Sequence, residues 1–362
     1  MPPPPPTTDA PQNNPPERVL LIRPSALGDV SRTVPCLVAL RHALPHAHID
    51  WLVNASFADA VAAHPMLDGV VPFDRQHPRA IPALLRRLRA QRYGLVVDLQ
   101  GLARSGLFTR ATGAGRRIGF ANAREGAWLA YNEKHALPRS LHTVDRMRGL
   151  LDAAGFPGPA DLTLYVPAAA ALAVAGVTAA WDGNLDGGYA CLAPTARWGC
   201  KCWPVERFAA VGADALSTGR VDRLVVVASP RERDGVRGAF ADALPAGLRD
   251  RVLYPDTDVG TLMAWIAGAR ALLGNDSAAL HLAVGLNRPT VSLFGPTDPA
   301  RVGPCRWTPD TVPAAKHVVI RAPGTVGRTI KYRRCKDDDT LIRGIELGDV
   351  REAFARVLDR TP

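Results

Sequence analysis

Short apolar runs alternate with amphipathic stretches along most of the chain, and this alternation constrains the fold more than any other feature. It is the pattern of βαβ units, in which parallel strands are buried on both faces by crossover helices. A Gly/Pro- and Asp-rich stretch interrupts it once, over about residues 155–188, after which the pattern restarts. The sequence therefore predicts an α/β chain of two doubly wound halves, with ligands bound in a cleft beyond the carboxyl ends of the strands.

The same pattern predicts individual elements and a division of the chain. Strands are expected at 18–23, 48–53, 69–73, 94–99, 117–120, 189–193, 223–228, 251–254, 271–274 and 289–294. Helices are expected over about 30–43, 83–89, 141–154 and 347–358. The predicted units are a disordered proline-rich tail (1–17), an N-terminal domain (18–165), a linker (166–188), a C-terminal domain (189–345) and a terminal helix (346–362).

Composition excludes several classes of protein. The chain has 362 residues, 47% of them hydrophobic and 22% charged, as in globular proteins. No window approaches about 18 uninterrupted apolar residues, so no transmembrane helix is expected. The first 16 residues contain eight prolines and no apolar core, unlike a secretory signal. Six scattered cysteines form no disulfide framework, which favours a reducing cytosol. The pair Cys200 and Cys202 lacks the second ligand pair of a structural zinc site.

The chain is basic, with 44 Lys and Arg against 34 Asp and Glu, a formal charge of +10 and a pI near 9.7. The arginines are scattered rather than clustered, so a generally arginine-rich composition is one explanation of the charge. An anionic membrane surface, an anionic sugar substrate and nucleic acid are the functional explanations. Nucleic acid ranks last because no zinc finger, RNA-recognition signature or basic-aromatic stripe is present.

The loop after the first predicted strand, residues 24–29, carries the first candidate for chemistry. Gly28 permits a tight turn, and the Asp29 carboxylate is expected to project into the cleft. The loop has a single glycine rather than GxGxxG, which disfavours a dinucleotide oxidoreductase. Taken alone, the loop is better explained by Asp29 as an acidic residue favoured at a helix N-terminus.

Three further candidates follow strands of the second half. In the loop 194–204, Lys201 can balance a diphosphate or can be a solvated lysine. In 274–283, a strand leads into a helix whose free N–H groups form an anion site, and His281 can donate to phosphate or be a packed residue. The turn 294–299 can line a nucleotide pocket or be only a tight turn.

Together and in this order, these segments resemble the lipopolysaccharide heptosyltransferases, glycosyltransferase family nine. The resemblance covers about residues 18–358. The matching residues are Val19–Ile22, Ser25, Gly28–Val30, Thr33, Pro35, Asp98–Leu102, Arg104, Ser105, Ala123–Glu125, Lys201, Trp203, Pro204, Asp276, Ser277, His281 and Phe294–Pro299.

The resemblance implies a GT-B fold, with acceptor bound by the N-terminal domain and nucleotide sugar by the C-terminal domain. It implies inverting, metal-independent transfer of heptose from ADP-heptose to an anionic lipopolysaccharide-core acceptor, with no other cofactor. It implies a cytoplasmic protein that can contact the inner membrane peripherally and that has no nucleic-acid partner. Asp29 is implied as the catalytic base. The implied donor-binding residues are Thr195, Lys201, Glu232, Asp276, Ser277, Ala278 and His281, and the implied acceptor-binding residues are Ser25, Gly28, Arg104 and Arg124.

One departure from the family pattern is Ala278, which stands where the family usually has glycine. Its extra methyl group falls where backbone approaches phosphate, which leaves the donor sugar open. Three alternatives therefore remain. They are a GT-B transferase with another nucleotide sugar or acceptor, a degenerate sugar-nucleotide-binding protein, and a basic nucleic-acid binder.

Overall fold

The computed structural model describes residues 15–181, 188–304, 316–325, 328, 330 and 337–361. Residues 1–14 of the predicted tail and 182–187 of the predicted linker lie outside the described residues. So do Cys305 and Cys335.

The N-terminal half is a parallel six-stranded sheet in the order β3-β2-β1-β4-β5-β6. Its strands are β1 Arg18–Ile22, β2 His48–Asn54, β3 Gly69–Phe73, β4 Leu95–Asp98, β5 Arg116–Phe120 and β6 Glu133–His135. Its helices are α1 Leu27–Ser31, α2 Val34–Ala43, α3 Asp59–Ala62, α4 Ile81–Ala90, α5 Ala103–Thr112 and α6 Thr143–Ala153, with 3-10 turns at Ala55–Phe57, Pro78–Ala80 and Ala127–Ala130. The central strands are buried on both faces, as continuous apolar runs predict.

The C-terminal half repeats this design in the order β12-β11-β10-β7-β8-β9, again all parallel. Its strands are β7 Tyr189–Ala193, β8 Arg223–Val226, β9 Val252–Leu253, β10 Leu272–Asn275, β11 Thr290–Phe294 and β12 His317–Arg321. Helices α8 Val205–Ser217, α9 Arg233–Ala243, α10 Val259–Gly268, α11 Ala278–Gly285, α12 Pro299–Val302, α13 Thr340–Arg343 and α14 Leu347–Asp359 accompany them, with 3-10 turns at Gly199–Lys201 and Ala246–Arg251. This architecture confirms the predicted GT-B, doubly wound α/β class.

Two regions differ in detail from the predicted elements. The helix expected over 30–43 is two helices, because the chain turns at Arg32 and Thr33 and Pro35 occupies the first turn of α2. The predicted linker contains a further helix, α7 Ala168–Ala179, which packs against α10. The domain boundaries themselves stay predictions.

The strand order reverses direction beside β1 in one sheet and beside β7 in the other. Ligands in such sheets bind at these switch points. The two halves contact each other near these switch points, since α1 packs against α11 and α3 packs against α10. The backbone N–H of Leu164 also donates to the carbonyl of Gly285, at 2.8 Å. The loops after β1 and β10 therefore face each other across the boundary between the halves.

Candidate active site

Asp29 lies in the first turn of α1, and both of its carboxylate oxygens are engaged. Arg23 Nη2 lies 3.1 Å from Oδ2, and Arg32 Nη2 lies 2.6 Å from Oδ1. Burial favours a higher pKa for Asp29, but the two guanidinium groups and the N–H of Ala26 outweigh it and hold the pKa well below its usual range. The side chain remains 29% exposed. It is therefore an ionised carboxylate that a ligand can reach.

Arg32 connects Asp29 to the other half of the molecule. Besides its ion pair with Asp29, it donates from Nη1 to the carbonyl of Val302, at 3.1 Å, and from Nε to that of Gly28, at 3.2 Å. Val302 ends α12 in the C-terminal half. The orientation of the Asp29 carboxylate is thus linked to the contact between the two halves.

A cavity of about 630 Å³ opens beside Asp29. Two acidic residues, Asp29 and Glu125, line it together with many more basic ones. The arginines of its wall are Arg23, Arg75, Arg124, Arg139, Arg146, Arg197 and Arg301. Arg197 and Arg301 come from the C-terminal half, so both halves close the cavity around an excess of positive charge. Such a site favours an anionic ligand.

Arg146 shows how crowded this positive charge is. Its guanidinium carbon lies 3.9 Å from the centroid of the Phe120 ring, and Nη2 donates to Oδ1 of Asn122 at 2.8 Å. Burial, followed by the repulsion of Arg139, Arg23 and Arg124, lowers the pKa of Arg146 to about 10. An anion in the cavity would relieve this repulsion.

The structure separates the four predicted acceptor residues. Ser25 and Arg124 line the cavity. Gly28 instead faces α11 across the domain boundary. Arg104 is exposed on α5, with its guanidinium carbon 5.4 Å from the centroid of the Phe73 ring, and is not part of the cavity wall. Its contact with an acceptor stays a prediction.

On the C-terminal side, Asp276 is the centre of a buried group at the end of β10. Lys201 Nζ donates to Oδ2 of Asp276 at 2.6 Å, and Thr297 Oγ1 donates to the same oxygen at 2.7 Å. Burial opposes ionisation, but the charge of Lys201 and the hydrogen bonds from Lys201 and Thr297 lower the pKa of Asp276. The predicted donor loop and the turn 294–299 therefore meet at one carboxylate.

Asn275 fixes this arrangement from the adjacent position. Its Nδ2 donates to the carbonyl of Pro194 at 2.7 Å, and its Oδ1 accepts the N–H of Trp203 at 3.1 Å. These bonds join the end of β10 to both ends of the Lys201 loop.

The N-terminus of α11 faces the same group. Ser277 occupies the N-cap position, and among the described residues its buried Oγ has no hydrogen-bond partner. His281 is buried, with Nε2 3.9 Å from Oδ1 of Asp276. Burial and then the nearby Arg32 lower the pKa of His281 to about 3, so the imidazole is neutral at pH 7. The N–H groups of the first turn of α11, the Ser277 hydroxyl and a neutral imidazole thus converge at one place, which is the arrangement of an anion site.

Gly28 brings the two sides together. A β-carbon at this position would lie 2.7 Å from Cδ2 of His281 and 3.4 Å from the Cα of Ala278. The absence of a side chain therefore allows α1 to approach the first turn of α11. As a result, Asp29 is one residue away from a contact with the predicted donor site.

The remaining predicted donor residues, Thr195 and Glu232, follow β7 and β8. Glu232 accepts a hydrogen bond from Ser229 at the start of α9, and Thr195 lies in the Lys201 loop. Thr195 and Glu232 both lie beyond the carboxyl ends of neighbouring strands, at the same edge of the sheet as Lys201. Their role in donor binding stays a prediction.

Sequence reasoning missed Arg23 and Arg32, and it assigned no role to Asn275 and Thr297 within the candidate segments 274–283 and 294–299. Arg23, Asn275 and Thr297 lie at or just beyond the carboxyl end of a strand, a position that marks ligand-binding residues in such sheets. Arg32 carries no comparable signal, because its importance comes from a contact with Val302, 270 positions away.

No group of three or more His, Cys, Asp or Glu side chains among the described residues is arranged to hold a metal ion. None of their helices combines the length and apolar character needed to cross a bilayer.

Comparison with known proteins identifies the family. The model of glycosyltransferase family 9 (heptosyltransferase) matches residues 81–315. The chain belongs to this family. It is 32% identical over 301 residues to lipopolysaccharide heptosyltransferase 1 of Pseudomonas aeruginosa, covering 79% of this chain and 81% of the relative.

Solved structures agree with this family 9 assignment. The Escherichia coli heptosyltransferase WaaC with ADP has a TM-score of 0.71 and 25% identity, covering 94% of this chain and 99% of that one. WaaC with ADP-2-deoxy-2-fluoro heptose has a TM-score of 0.66 and 26% identity, covering 90% and 97%. The family 9 chain described here is thus a glycosyltransferase, and the resemblance seen in its sequence is confirmed.

Proposed function

We propose that this family 9 chain transfers heptose from ADP-heptose to an anionic acceptor of the lipopolysaccharide-core type, with inversion and without a metal ion. The position of Asp29 carries the proposal, because this carboxylate lies between the arginine-lined cavity and the first turn of α11. A base between an acceptor site and a donor site is what direct sugar transfer requires.

In the proposed reaction Asp29 is the general base. A sugar hydroxyl is a weak nucleophile at neutral pH, so its proton passes to the Asp29 carboxylate as its oxygen attacks the anomeric carbon. The new carbon–oxygen bond forms as the bond from the anomeric carbon to the diphosphate oxygen breaks, and ADP leaves. This single displacement inverts the anomeric configuration and needs one carboxylate.

The group around Asp276 is the proposed diphosphate site. The N–H groups at the start of α11 point toward it, together with Ser277 Oγ and the neutral imidazole of His281. Lys201 is held there by Asp276 and adds a positive charge at the edge of the site. Fixed donors of this kind stabilise the negative charge that grows on the leaving diphosphate.

The arginine-lined cavity is the proposed acceptor site. Seven arginines against two carboxylates select an acceptor that carries phosphate or carboxylate groups. The names of the relatives support this choice of substrates, since they include a lipopolysaccharide heptosyltransferase and a structure with an ADP-heptose analogue. An acceptor of this kind also places the proposed reaction at the cytoplasmic face of the inner membrane.

A panel of nucleotide sugars tests the proposal. Purified protein is incubated with ADP-heptose, UDP-sugars or GDP-sugars, with and without EDTA, and nucleotide release is measured in the presence of a lipopolysaccharide-core acceptor. We expect release from ADP-heptose alone, no effect of EDTA, and an inverted linkage by NMR. Preferred release from a UDP- or GDP-sugar would assign another donor, and loss of activity with EDTA would contradict the metal-independent mechanism.

A further inference from the structure

One outer face of the N-terminal half combines exposed apolar side chains with positive charge. We call it the basic face and define it by α4, α5 and the 3-10 turn Ala127–Ala130. The turn presents Leu129, which is 70% exposed, and Trp128, which is 42% exposed. Leu107 on α5 is 48% exposed. Large apolar groups this exposed mark interaction surfaces when they occur together.

Packing places α5 and the turn side by side. Gly106 of α5 lies against Ala127, since a β-carbon at Gly106 would be 3.0 Å from the Cα of Ala127. Leu107 is the next residue of α5, and Trp128 is the next residue of the turn. The exposed apolar residues of the two elements therefore lie one position from the contact between them.

The charge of the basic face has a single sign. Its exposed cationic residues are Arg86, Arg87 and Arg89 on α4 and Arg104 and Arg110 on α5. None of the three elements contains an Asp or Glu. Arg89 Nη1 reaches the carbonyl of Thr112, at 3.5 Å, which joins α4 to the end of α5.

Lys134, on neighbouring β6, extends this charge to the apolar turn. Its Nζ lies 5.6 Å from the centroid of the Trp128 ring. A tryptophan beside a lysine, with leucines nearby, is typical of side chains that enter the headgroup region of a bilayer.

The basic face adjoins the candidate acceptor cavity. Ala123, Arg124 and Glu125 line that cavity, and Gly126 then leads directly into the apolar turn. The backbone N–H of Ala103, the first residue of α5, donates to Oε2 of Glu125 at 3.2 Å. A ligand anchored at this face would enter the cavity from its rim.

We infer that the basic face docks on an anionic lipid bilayer, with Trp128 and Leu129 inserted among the headgroups. Apolar insertion supplies part of the affinity and the arginines supply the preference for anionic lipid. A second copy of the chain fits less well, because two such faces in contact would bring their arginines together and the like charges would repel. The inference deepens the proposed function and rests on it for its purpose, which is to bring a lipid-linked acceptor to the cavity.

Vesicle co-sedimentation tests the inference. The probes are vesicles of phosphatidylglycerol and phosphatidylethanolamine, with phosphatidylcholine vesicles as the neutral comparison. We expect the full chain to pellet with the anionic vesicles, less so at high salt, and to stay in solution with the neutral ones. The double variant Trp128→Ser/Leu129→Ser should lose on the order of tenfold in partitioning. Arg86→Gln/Arg87→Gln should lose roughly fivefold per arginine.

Matched controls separate this surface from general properties of the chain. Leu172 on α7 is 73% exposed, so Leu172→Ser removes an equally exposed leucine elsewhere. Arg351→Gln/Arg356→Gln removes two arginines from α14, on another part of the molecule. Both controls should bind vesicles like the unaltered protein. Equal losses in the controls, full binding by the Trp128→Ser/Leu129→Ser variant, or no binding of the unaltered protein would overturn the inference.

Two parallel measurements complete the test. Transfer to a delipidated, water-soluble acceptor should be the same for the Trp128→Ser/Leu129→Ser variant as for the unaltered protein, which also verifies its folding. Absence of transfer in both proteins, with vesicle binding lost only in the variant, would reject the proposed function while supporting the docking face. Sedimentation equilibrium that shows a dimer dissociated by the same substitutions, without vesicle binding, would assign the face to a second copy and overturn lipid docking.

Discussion

Gly28 lies against the imidazole ring of His281 across the boundary between the two halves. A β-carbon on Gly28 would be 2.7 Å from the imidazole Cδ2. Contacts of a β-carbon this short do not occur without displacement of one partner. His281 is buried and cannot move freely. The spacing between α1 and α11, and with it the separation of Asp29 from the proposed donor site, therefore depends on a glycine at position 28.

Replacing this glycine tests that dependence. Gly28→Ala should destabilise the protein by about 1–3 kcal/mol, as overpacking does, and should lower kcat/KM by misaligning Asp29 and α11. Thermal unfolding and transfer kinetics measure the two effects. Gly238→Ala in α9 is the matched control, since a β-carbon there would meet nothing within 4 Å outside its own helix. It should keep activity and gain stability. Full activity of Gly28→Ala would show that the spacing is not critical.

Arg32 offers a test of how Asp29 is oriented. Arg32→Gln removes an ion pair from Asp29 and the hydrogen bond to Val302, so kcat should fall and the pKa of Asp29 should rise. A pH–rate profile would show any acidic limb of Asp29 displaced to higher pH. Arg41→Gln removes a comparable ion pair, with Asp68, away from the cavity and should leave the profile unchanged. An identical profile for Arg32→Gln would indicate that Arg23 alone sets the ionisation of Asp29.

The buried histidine predicts a pH dependence of stability. The pKa of His281 is lowered from 6.5 to about 3, mainly by burial. The unfolded chain therefore binds a proton that the folded chain does not between these values, and stability falls as pH falls from about 6.5 toward 3. His281→Gln should flatten this part of the curve, measured by urea unfolding across pH.

His317 separates that stability effect from catalysis. Its pKa is lowered to about 4, chiefly by burial, so His317→Gln should also flatten the stability curve. It lies on β12, outside the candidate site, and should retain transferase activity. His281→Gln should lose activity as well. Equal activity in the two variants would remove His281 from the proposed donor site.

Lys201 is predicted to serve both stability and donor binding. Lys201→Ala leaves the Asp276 carboxylate buried with Thr297 as its remaining hydrogen-bond partner among the described contacts, which should cost about 3 kcal/mol of stability. It should also weaken ADP binding, measured by calorimetry. Lys316→Ala removes a lysine that donates to Asn287 outside the site and should change neither quantity strongly. Unchanged ADP affinity in Lys201→Ala would contradict a donor role.

The sequence predicted the strands better than the site. Runs such as Val19–Ile22 are recognisable because strands buried on both faces are continuously apolar. Helix α7 was not predicted because its Ala/Val-rich sequence shows no apolar periodicity. Strand β6 was not predicted because it is a short Glu-Lys-His segment without an apolar run. The order of motifs located Asp29, Lys201 and His281 near strand ends. Of the wall of arginines only Arg124 was predicted, because residues such as Arg23, Arg146 and Arg301 converge only through tertiary packing.

Whether Asp29 is the general base is tested most directly by the turnover of Asp29→Asn with ADP-heptose and a lipopolysaccharide-core acceptor. The substitution keeps the shape of the side chain and removes its ability to accept the hydroxyl proton. We expect kcat to fall by about 10²–10⁴, the usual contribution of a general base. ADP affinity should remain close to that of the unaltered protein, because Asp29 is not part of the proposed diphosphate site. Full turnover by Asp29→Asn would show that Asp29 is not the general base.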